Sequence, residues 1–283
     1  MGGRAITIKW TSVQRQRLQE LGATEEQIKM IFTAVPERNS VYQQLEHELV
    51  SRGKDLLLQF RNDIRRPVLC DLESRLVEAL TGAGFAQVTT PVLLSKGLLA
   101  KMTITEKHPL FDQVFWVDDR KCLRPMLAPN LYFILKDLLR LWVHPVNIFE
   151  IGPCFRKDTQ GGAHMQEFTM LNLVEMGLAE SECSERLKAL ADLVMKAAGI
   201  NDYSLETESS EVYGETLDVV AGDLELGSGA MGPHVLDQQW EITVPWVGIG
   251  FGVERLAMIR DGHSNVQKVG RSLTYLNGTR LNI

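Results

Sequence analysis

Along the first 66 residues, apolar positions recur at the spacing of one helix face, as in the stripe Val41, Leu45 and Leu49. Two segments there have the form of a helix start, a hydroxyl residue followed three positions later by an amide: Thr24-Glu25-Glu26-Gln27 and Ser40-Val41-Tyr42-Gln43. Such a pair satisfies orphan N–H donors reciprocally. Pro67 opens a third helical pattern, with Leu69, Leu72, Leu76 and Ala79 on one face and Gly82 and Gly84 at its end. Proline suits a first turn and glycine an exit. A soft boundary near Pro67 therefore divides a helical N-terminal extension, 1–66, from a body, 67–283.

In the body the period shifts to two. Residues 85–90, 113–117, 146–156, 166–176, 203–209, 217–220 and 223–228 read as strands, and 129–142, 180–198 and 252–260 as helices. Several strands follow one another without the length of a crossover. This predicts an α+β fold, an antiparallel or mixed sheet with helices packed on it. Within 166–176, Phe168, Met170, Asn172 and Val174 share one face, and Glu167, Thr169, Leu171 and Leu173 share the other. One face thus offers an aromatic plane, apolar bulk and a single amide. GxxxxGK[ST] does not occur, which removes the main support for a P-loop nucleotide site.

Composition narrows the class. With 283 residues, 45% apolar and 23% charged, the chain is one large domain or two modest ones, neither disordered nor collagen-like. No apolar run approaches the ~18 residues of a membrane span. The first ten residues lack the apolar core of a secretory signal, so a cytoplasmic protein without membrane contact is expected. Cys70, Cys122, Cys154 and Cys183 have neither CxxC spacing nor a histidine at zinc-finger distance, and are expected as buried, reduced thiols. The net charge of −6 is uneven: 1–66 carries 11 Lys+Arg against 8 Asp+Glu, or +3, and the rest 19 against 28, or −9. Arg15, Arg17, Arg52, Lys54, Arg61, Arg65 and Arg66 make the N-terminal helices the candidate nucleic-acid contact.

Three segments carry chemistry. The first runs from Leu69 to Pro91, a helix, a glycine turn and a strand ending in Thr-Thr-Pro. The second is Phe149-Glu150-Ile151-Gly152-Pro153-Cys154-Phe155-Arg156-Lys157, a polar loop, and His164-Met165-Gln166-Glu167-Phe168-Thr169. The third is Gly248-Ile249-Gly250-Phe251-Gly252-Val253-Glu254-Arg255. In this order they resemble motifs 1, 2 and 3 of class II aminoacyl-tRNA synthetases. The resemblance implies a class II core that is dimeric through motif 1 and binds ATP and Mg²⁺. Arg156 would meet the α-phosphate, where a fork of donors suits the developing charge. Phe168 would stack on adenine, with His164 and Met165 nearby, and Arg255 would reach adenine and the γ-phosphate. Glu225 and Ser228 would share Mg²⁺ with phosphate oxygens. Asp158 stands where the class usually has glutamate, a departure that leaves a backbone contact to adenine.

The segments Arg124-Pro125-Met126-Leu127-Ala128-Pro129-Asn130-Leu131-Tyr132, Val212-Tyr213-Gly214-Glu215-Thr216-Leu217-Asp218-Val219 and Arg271-Ser272-Leu273-Thr274-Tyr275 sharpen this. The chain resembles the pyrrolysyl-tRNA synthetase family in its catalytic-domain-only, bacterial-type form. That family activates pyrrolysine with ATP and passes it to a cognate tRNA. A separate RNA-binding polypeptide is a possible further partner, and DNA is not expected as one. The resemblance places the amino acid against Ala128, Leu131, Tyr132, Leu135, Met170 and Val174. It adds Asn172 as donor to the ligand's acyl carbonyl, Tyr213 as a mobile cover, and Ser228 and Trp246. The rival readings are a class II synthetase for another large amino acid such as phenylalanine, and a non-catalytic tRNA-binding descendant.

Overall fold

The computed structural model describes residues 7–158, 161–210 and 212–283. The N-terminal residues 1–6 read above lie outside these. The chain divides into two compact units, one of Met1–Pro67 with Ser272–Ile283 and one of Val68–Arg271.

The first unit holds α1 (Ser12–Glu20), α2 (Glu25–Ile28) and α3 (Val35–Gln59). Thr24 caps α2 as predicted, and its own N–H is answered by the Gln27 side chain at 2.8 Å. Ser40 is not a cap. Helix α3 starts at Val35 with Pro36 in its first turn, where a missing N–H costs nothing. Glu37 takes the N–H and hydroxyl of Thr33 at 3.0 and 2.8 Å, fixing the start ahead of Ser40. Leu45 and Leu49 are buried with Trp10, Leu18 and Phe32, and Val41 packs at the edge. A short antiparallel hairpin, Tyr275–Leu276 with Thr279–Arg280, belongs to the same unit. There Arg280 pairs with Glu20 at 2.5 Å, and Arg17 donates to the Asn282 carbonyl at 3.0 Å.

The second unit opens with α4 (Val68–Gly82), whose buried face is Leu69, Leu72, Leu76 and Leu80. It continues through β1 (Ala86–Gln87), β2 (Leu93–Ser95), α5 (Lys96–Lys101), α6 (Pro109–Asp112), β3 (Lys121–Leu123) and α7 (Ala128–Leu141). Then come β4 (Val146–Phe155), β5 (Glu167–Met176), α8 (Cys183–Ala198), β6 (Ser204–Ser210), β7 (Gly214–Ala221), β8 (Leu224–Gly232), α9 (Asp237–Trp240), β9 (Trp246–Gly252) and α10 (Val253–Arg260). The sheet order is β1-β4-β5-β9-β8-β7-β6. Every pairing is antiparallel except β1 with β4.

The two long strands β4 and β5 fall within a residue of their predicted bounds. The predicted strand 113–117 does not form. A helical turn, α6, ends at Asp112, and of that stretch only Trp116 bridges, to Cys122. The local strands are instead β2 and β3, paired with each other. The predicted strand 85–90 shortens to β1, because the chain leaves the sheet toward Pro91, which has no N–H to give a ladder.

One sheet face packs Leu171, Leu173, Ile249 and Phe251 against Leu72, Leu76, Leu190 and Leu256 of α4, α8 and α10. The other carries a second core with Leu131, Tyr132 and Leu135 of α7. Cys122, Cys154 and Cys183 are buried, and Cys70 is half-buried. No helix of the described residues is long and apolar enough to cross a membrane.

Candidate active site

Strand register assembles the site. Glu150 on β4, Asn172 on β5, Gly250 on β9, Ser228 on β8 and Asp218 on β7 stand opposite one another in a single row. Directly opposed residues of antiparallel strands share a face. This face is the one that Leu171 and Leu173 turn away from. Over it opens a cavity of about 480 Å³. At Gly250 a Cβ would stand 3.0 Å from Asn172 Nδ2 and 3.4 Å from Met170 Cε, so any larger residue there would crowd the amide.

Phe168, Met170, Asn172 and Val174 line the cavity from β5, as period two predicts. Ala128, Leu131 and Tyr132 line it from the start of α7, with Trp246 from β9 and Tyr213 from the loop before β7. Leu135, one turn further along α7, is fully buried and clusters with Leu131, Tyr132, Val174 and Trp246 of the cavity wall. The Tyr213 ring centroid lies 6.3 Å from that of Trp246, and burial raises its phenol's pKa, leaving a neutral hydroxyl.

Arg156, Asp158, His164, Glu225, Ser228 and Arg255 supply polar lining, and Met165 lies among them. Arg156 follows β4 directly. Its Nε donates to the Pro125 carbonyl at 2.9 Å, and its guanidinium carbon lies 5.3 Å from the centre of the Phe168 ring, at cation–π distance. Burial, chiefly, pulls its pKa below the ordinary arginine value, and neighbouring Arg255 acts in the same direction. An anion in the cavity would act in the opposite direction, favouring the charged guanidinium. Arg255 is braced by the Glu225 carbonyl at 2.9 Å, the Ala163 carbonyl at 3.3 Å and His164 Nε2 at 3.2 Å. A guanidinium has no acceptor, so His164 presents its lone pair there. Asp158 stands 3.6 Å from the same imidazole.

Two aspartates escaped the sequence reading. Asp218 accepts the Ser228 hydroxyl at 2.6 Å, which leaves Ser228 Oγ only lone pairs to offer the cavity. Alternation of Thr216 and Asp218 with Leu217 and Val219 was the available signal. Asp237 is buried and accepts the Trp246 indole N–H at 3.0 Å, fixing one wall. Nothing in the local pattern marks it. Glu225 and Ser228 are hard oxygen donors that fit Mg²⁺. Among the described residues no three His, Cys, Asp or Glu side chains are grouped to hold a metal.

Glu254 of α10 is buried beneath the motif 2 strand. Its carboxylate accepts the Thr169 N–H at 2.8 and 2.9 Å and the Thr169 hydroxyl at 2.9 Å, with Arg271 at 3.6 Å.

Residues 68–247 match the family model described as phenylalanyl tRNA synthetase beta chain CLM domain. The O-phosphoserine–tRNA(Cys) ligase of Methanocorpusculum labreanum is 24% identical over 180 residues, covering 59% of this chain and 33% of that protein. The threonine–tRNA ligase of a Wolbachia sp. from Brugia malayi is 28% identical over 166 residues, 55% of this chain and 25% of that protein. The chain thus spans about a third of the length of the curated relatives it matches. Among solved structures, pyrrolysyl-tRNA synthetase from Desulfitobacterium hafniense is 57% identical with a TM-score of 0.93, covering 97% of this chain and 99% of that one. A second structure, D. hafniense PylSc, is 54% identical with a TM-score of 0.92, covering 100% and 98%.

Proposed function

The chain belongs to the aminoacyl-tRNA synthetases that share the phenylalanyl tRNA synthetase beta chain CLM domain, and among them to the pyrrolysyl-tRNA synthetase family; from that premise we infer which side chains carry its ligase reaction. The reaction joins pyrrolysine to its tRNA. The observation behind the residue assignment is that, among the described residues, one cavity brings Arg156 and Arg255 together with the Asn172 amide and a set of apolar side chains.

In the first step the amino-acid carboxylate attacks the α-phosphorus of ATP. A carboxylate oxygen–phosphorus bond forms, the α-phosphorus–oxygen bond to the β-phosphate breaks, and pyrophosphate leaves. Arg156 donates to the charge that builds on the α-phosphate. Its Nε bond to Pro125 fixes the plane of the fork, so little reorganisation is needed as the charge grows. Phe168 gives adenine a stacking face, and Arg255 holds the far phosphates. Asn172 donates to the acyl carbonyl of pyrrolysine while the apolar walls take its ring. Glu225 and Ser228 would hold Mg²⁺, which shields phosphate charge when bound. In the second step the terminal 3′-hydroxyl of the tRNA attacks the acyl carbon and AMP leaves. No protein nucleophile takes part; positioning and charge carry both steps.

The tRNA docks on the N-terminal helices. Arg52, Lys54, Arg61, Arg65 and Arg66 are all exposed there, on a chain that is otherwise acidic. Pairing through the motif 1 segment makes the working form a homodimer, and the cytoplasm is its compartment. The phenylalanine reading is not favoured, since the solved relatives at 54–57% identity act on pyrrolysine by name. Pyrophosphate exchange with pyrrolysine, phenylalanine and lysine side by side tests the assignment. Exchange driven by phenylalanine or lysine in place of pyrrolysine would refute it.

A further inference from the structure

Beside the cavity, on the same sheet face, lies a polar cluster that the reaction scheme leaves unused. Arg124 and Glu150 are each 1% exposed, and their side chains pair at 2.7 Å. The Arg124 guanidinium also donates to the Thr90 hydroxyl at 2.9 Å and the Pro153 carbonyl at 2.8 Å. Thr90 returns its N–H and its hydroxyl to the Glu150 carboxylate at 3.1 and 2.6 Å. Asn130 donates to the Thr90 hydroxyl and the Pro91 carbonyl, both at 2.8 Å. Glu150 is the cross-strand partner of Asn172, which places the cluster next to the cavity floor.

Stability alone does not account for this arrangement. A buried ion pair replaced by apolar side chains of equal volume is often no less stable, so what the pair supplies is a fixed geometry. Two lines run from the cluster into the site. The peptide Arg124-Pro125 carries one: the Arg124 carbonyl accepts the Phe155 N–H at 2.9 Å, and the next carbonyl, that of Pro125, accepts Arg156 Nε. Asn130 carries the other. It sits in the first turn of α7, beside Leu131 and Tyr132 of the cavity wall. Gly152 completes the design, since a Cβ there would collide with Arg124 Nη2. The strand must be bare at that point for the guanidinium to lie across it.

We propose that Thr90, Arg124, Glu150 and Asn130 form a positioning hub that sets the Arg156 guanidinium and the start of α7 on one rigid base, so that adenylate formation depends on residues that touch no substrate. The inference rests on the assignment of Arg156 to the α-phosphate made above. Arg124→Lys keeps the charge opposite Glu150 but loses the planar fork that reaches Thr90 and Pro153 together.

The test is a double-mutant cycle in pyrophosphate exchange. Arg124→Lys alone lowers kcat about tenfold while the KM for ATP moves less than about threefold, as for a group acting mainly in the transition state. On an Arg156→Lys background, Arg124→Lys costs less than about threefold more, because the contact it protects is already impaired. Thr90→Val, which keeps shape and removes the shared hydroxyl, gives the same non-additive pattern and serves if the lysine variant does not fold. Additive losses overturn the proposal, as does wild-type exchange by a folded Thr90→Val protein. If neither variant folds, the cluster is a stability device and the proposal is wrong. Wild-type exchange by Arg156→Lys instead removes the Arg156 assignment, and with it the route through Pro125.

Discussion

Replacing Asn172 by alanine isolates recognition of the amino acid from the chemistry of ATP. Among the described residues lining the cavity, Asn172 is the one amide side chain. Its strand neighbour Glu150 is no substitute donor, because a carboxylate only accepts and this one is committed to Thr90 and Arg124. The Ser228 hydroxyl is likewise committed to Asp218. In the alanine variant the acyl carbonyl of pyrrolysine therefore loses the donor that Asn172 supplies. A buried acceptor left unpaired costs about 1–3 kcal/mol, or roughly 5- to 150-fold. Water entering the vacated space would push the loss toward the lower figure. Asn172→Asp should be worse than alanine, since it sets an acceptor against an acceptor. Gly250→Ala should fall between wild type and Asn172→Ala, because its Cβ would press on Nδ2 from 3.0 Å and the amide could yield by a few tenths of an ångström. The assay is pyrophosphate exchange with pyrrolysine and ATP varied in turn. The KM for pyrrolysine should rise by the stated factor while that for ATP stays within about twofold. A parallel rise in both would mean that Asn172 shapes the sheet, and that the carbonyl finds its donor elsewhere.

Arg156→Ala should slow adenylate formation by about 3–4 kcal/mol without lowering Tm, by analogy with removal of one oxyanion-hole donor; near-normal exchange would refute its role. Changing Arg52, Lys54, Arg61 and Arg65 to glutamine should raise the KM for tRNA and flatten the salt dependence of charging, each lost phosphate contact reducing the slope by about one. Pyrophosphate exchange should be unaffected, and normal charging at every salt concentration would move the tRNA site to the catalytic body. Burial pushes the Cys154 thiol up to about 12 and the Cys122 thiol up to about 11, so a thiol reagent at about pH 8 should label Cys70 first in native protein and all four after denaturation. Fast native labelling of Cys154 would contradict the packing. Burial, more than any partner, raises the Glu254 carboxyl above its ordinary 4.5. Its contribution to stability is then full below that pH and lost as pH rises through the folded value. The Tm of Glu254→Gln should match wild type in acid and exceed it near neutrality; parallel profiles would show that Thr169 and Arg271 outweigh burial.

Much of the site was legible because two of its strands are long and regular. Period two along 167–176 separates Phe168, Met170, Asn172 and Val174 from the core side, and the register then lines up the rest. What failed to show is what depends on distant partners. Strands β2 and β3 are three residues each and exist only through each other, so neither leaves a period to detect. Ser40 matched a cap in form, but Pro36 and the Thr33–Glu37 contact had already begun the helix. Asp237 earns its place by holding the Trp246 indole, a contact across nine residues that no spacing rule anticipates. The Arg124 hub is spread over three segments from Thr90 to Pro153, and its logic lies in the hydrogen bonds alone.

The hairpin at Tyr275–Arg280 packs in one unit with the N-terminal helices: Gly53 of α3 lies under Thr279 and Ile283, and Arg280 clasps Glu20. During synthesis those helices emerge first, but the strands that complete their unit leave the ribosome more than 200 residues later, at about 5–20 residues per second. The continuous unit Val68–Arg271 is fully available before then. The order of emergence is thus reversed in the order of completion: the catalytic body can fold while the helices that precede it still wait for their last partner. A released polypeptide ending at Arg271 should therefore form the cavity while its basic unit stays unfinished.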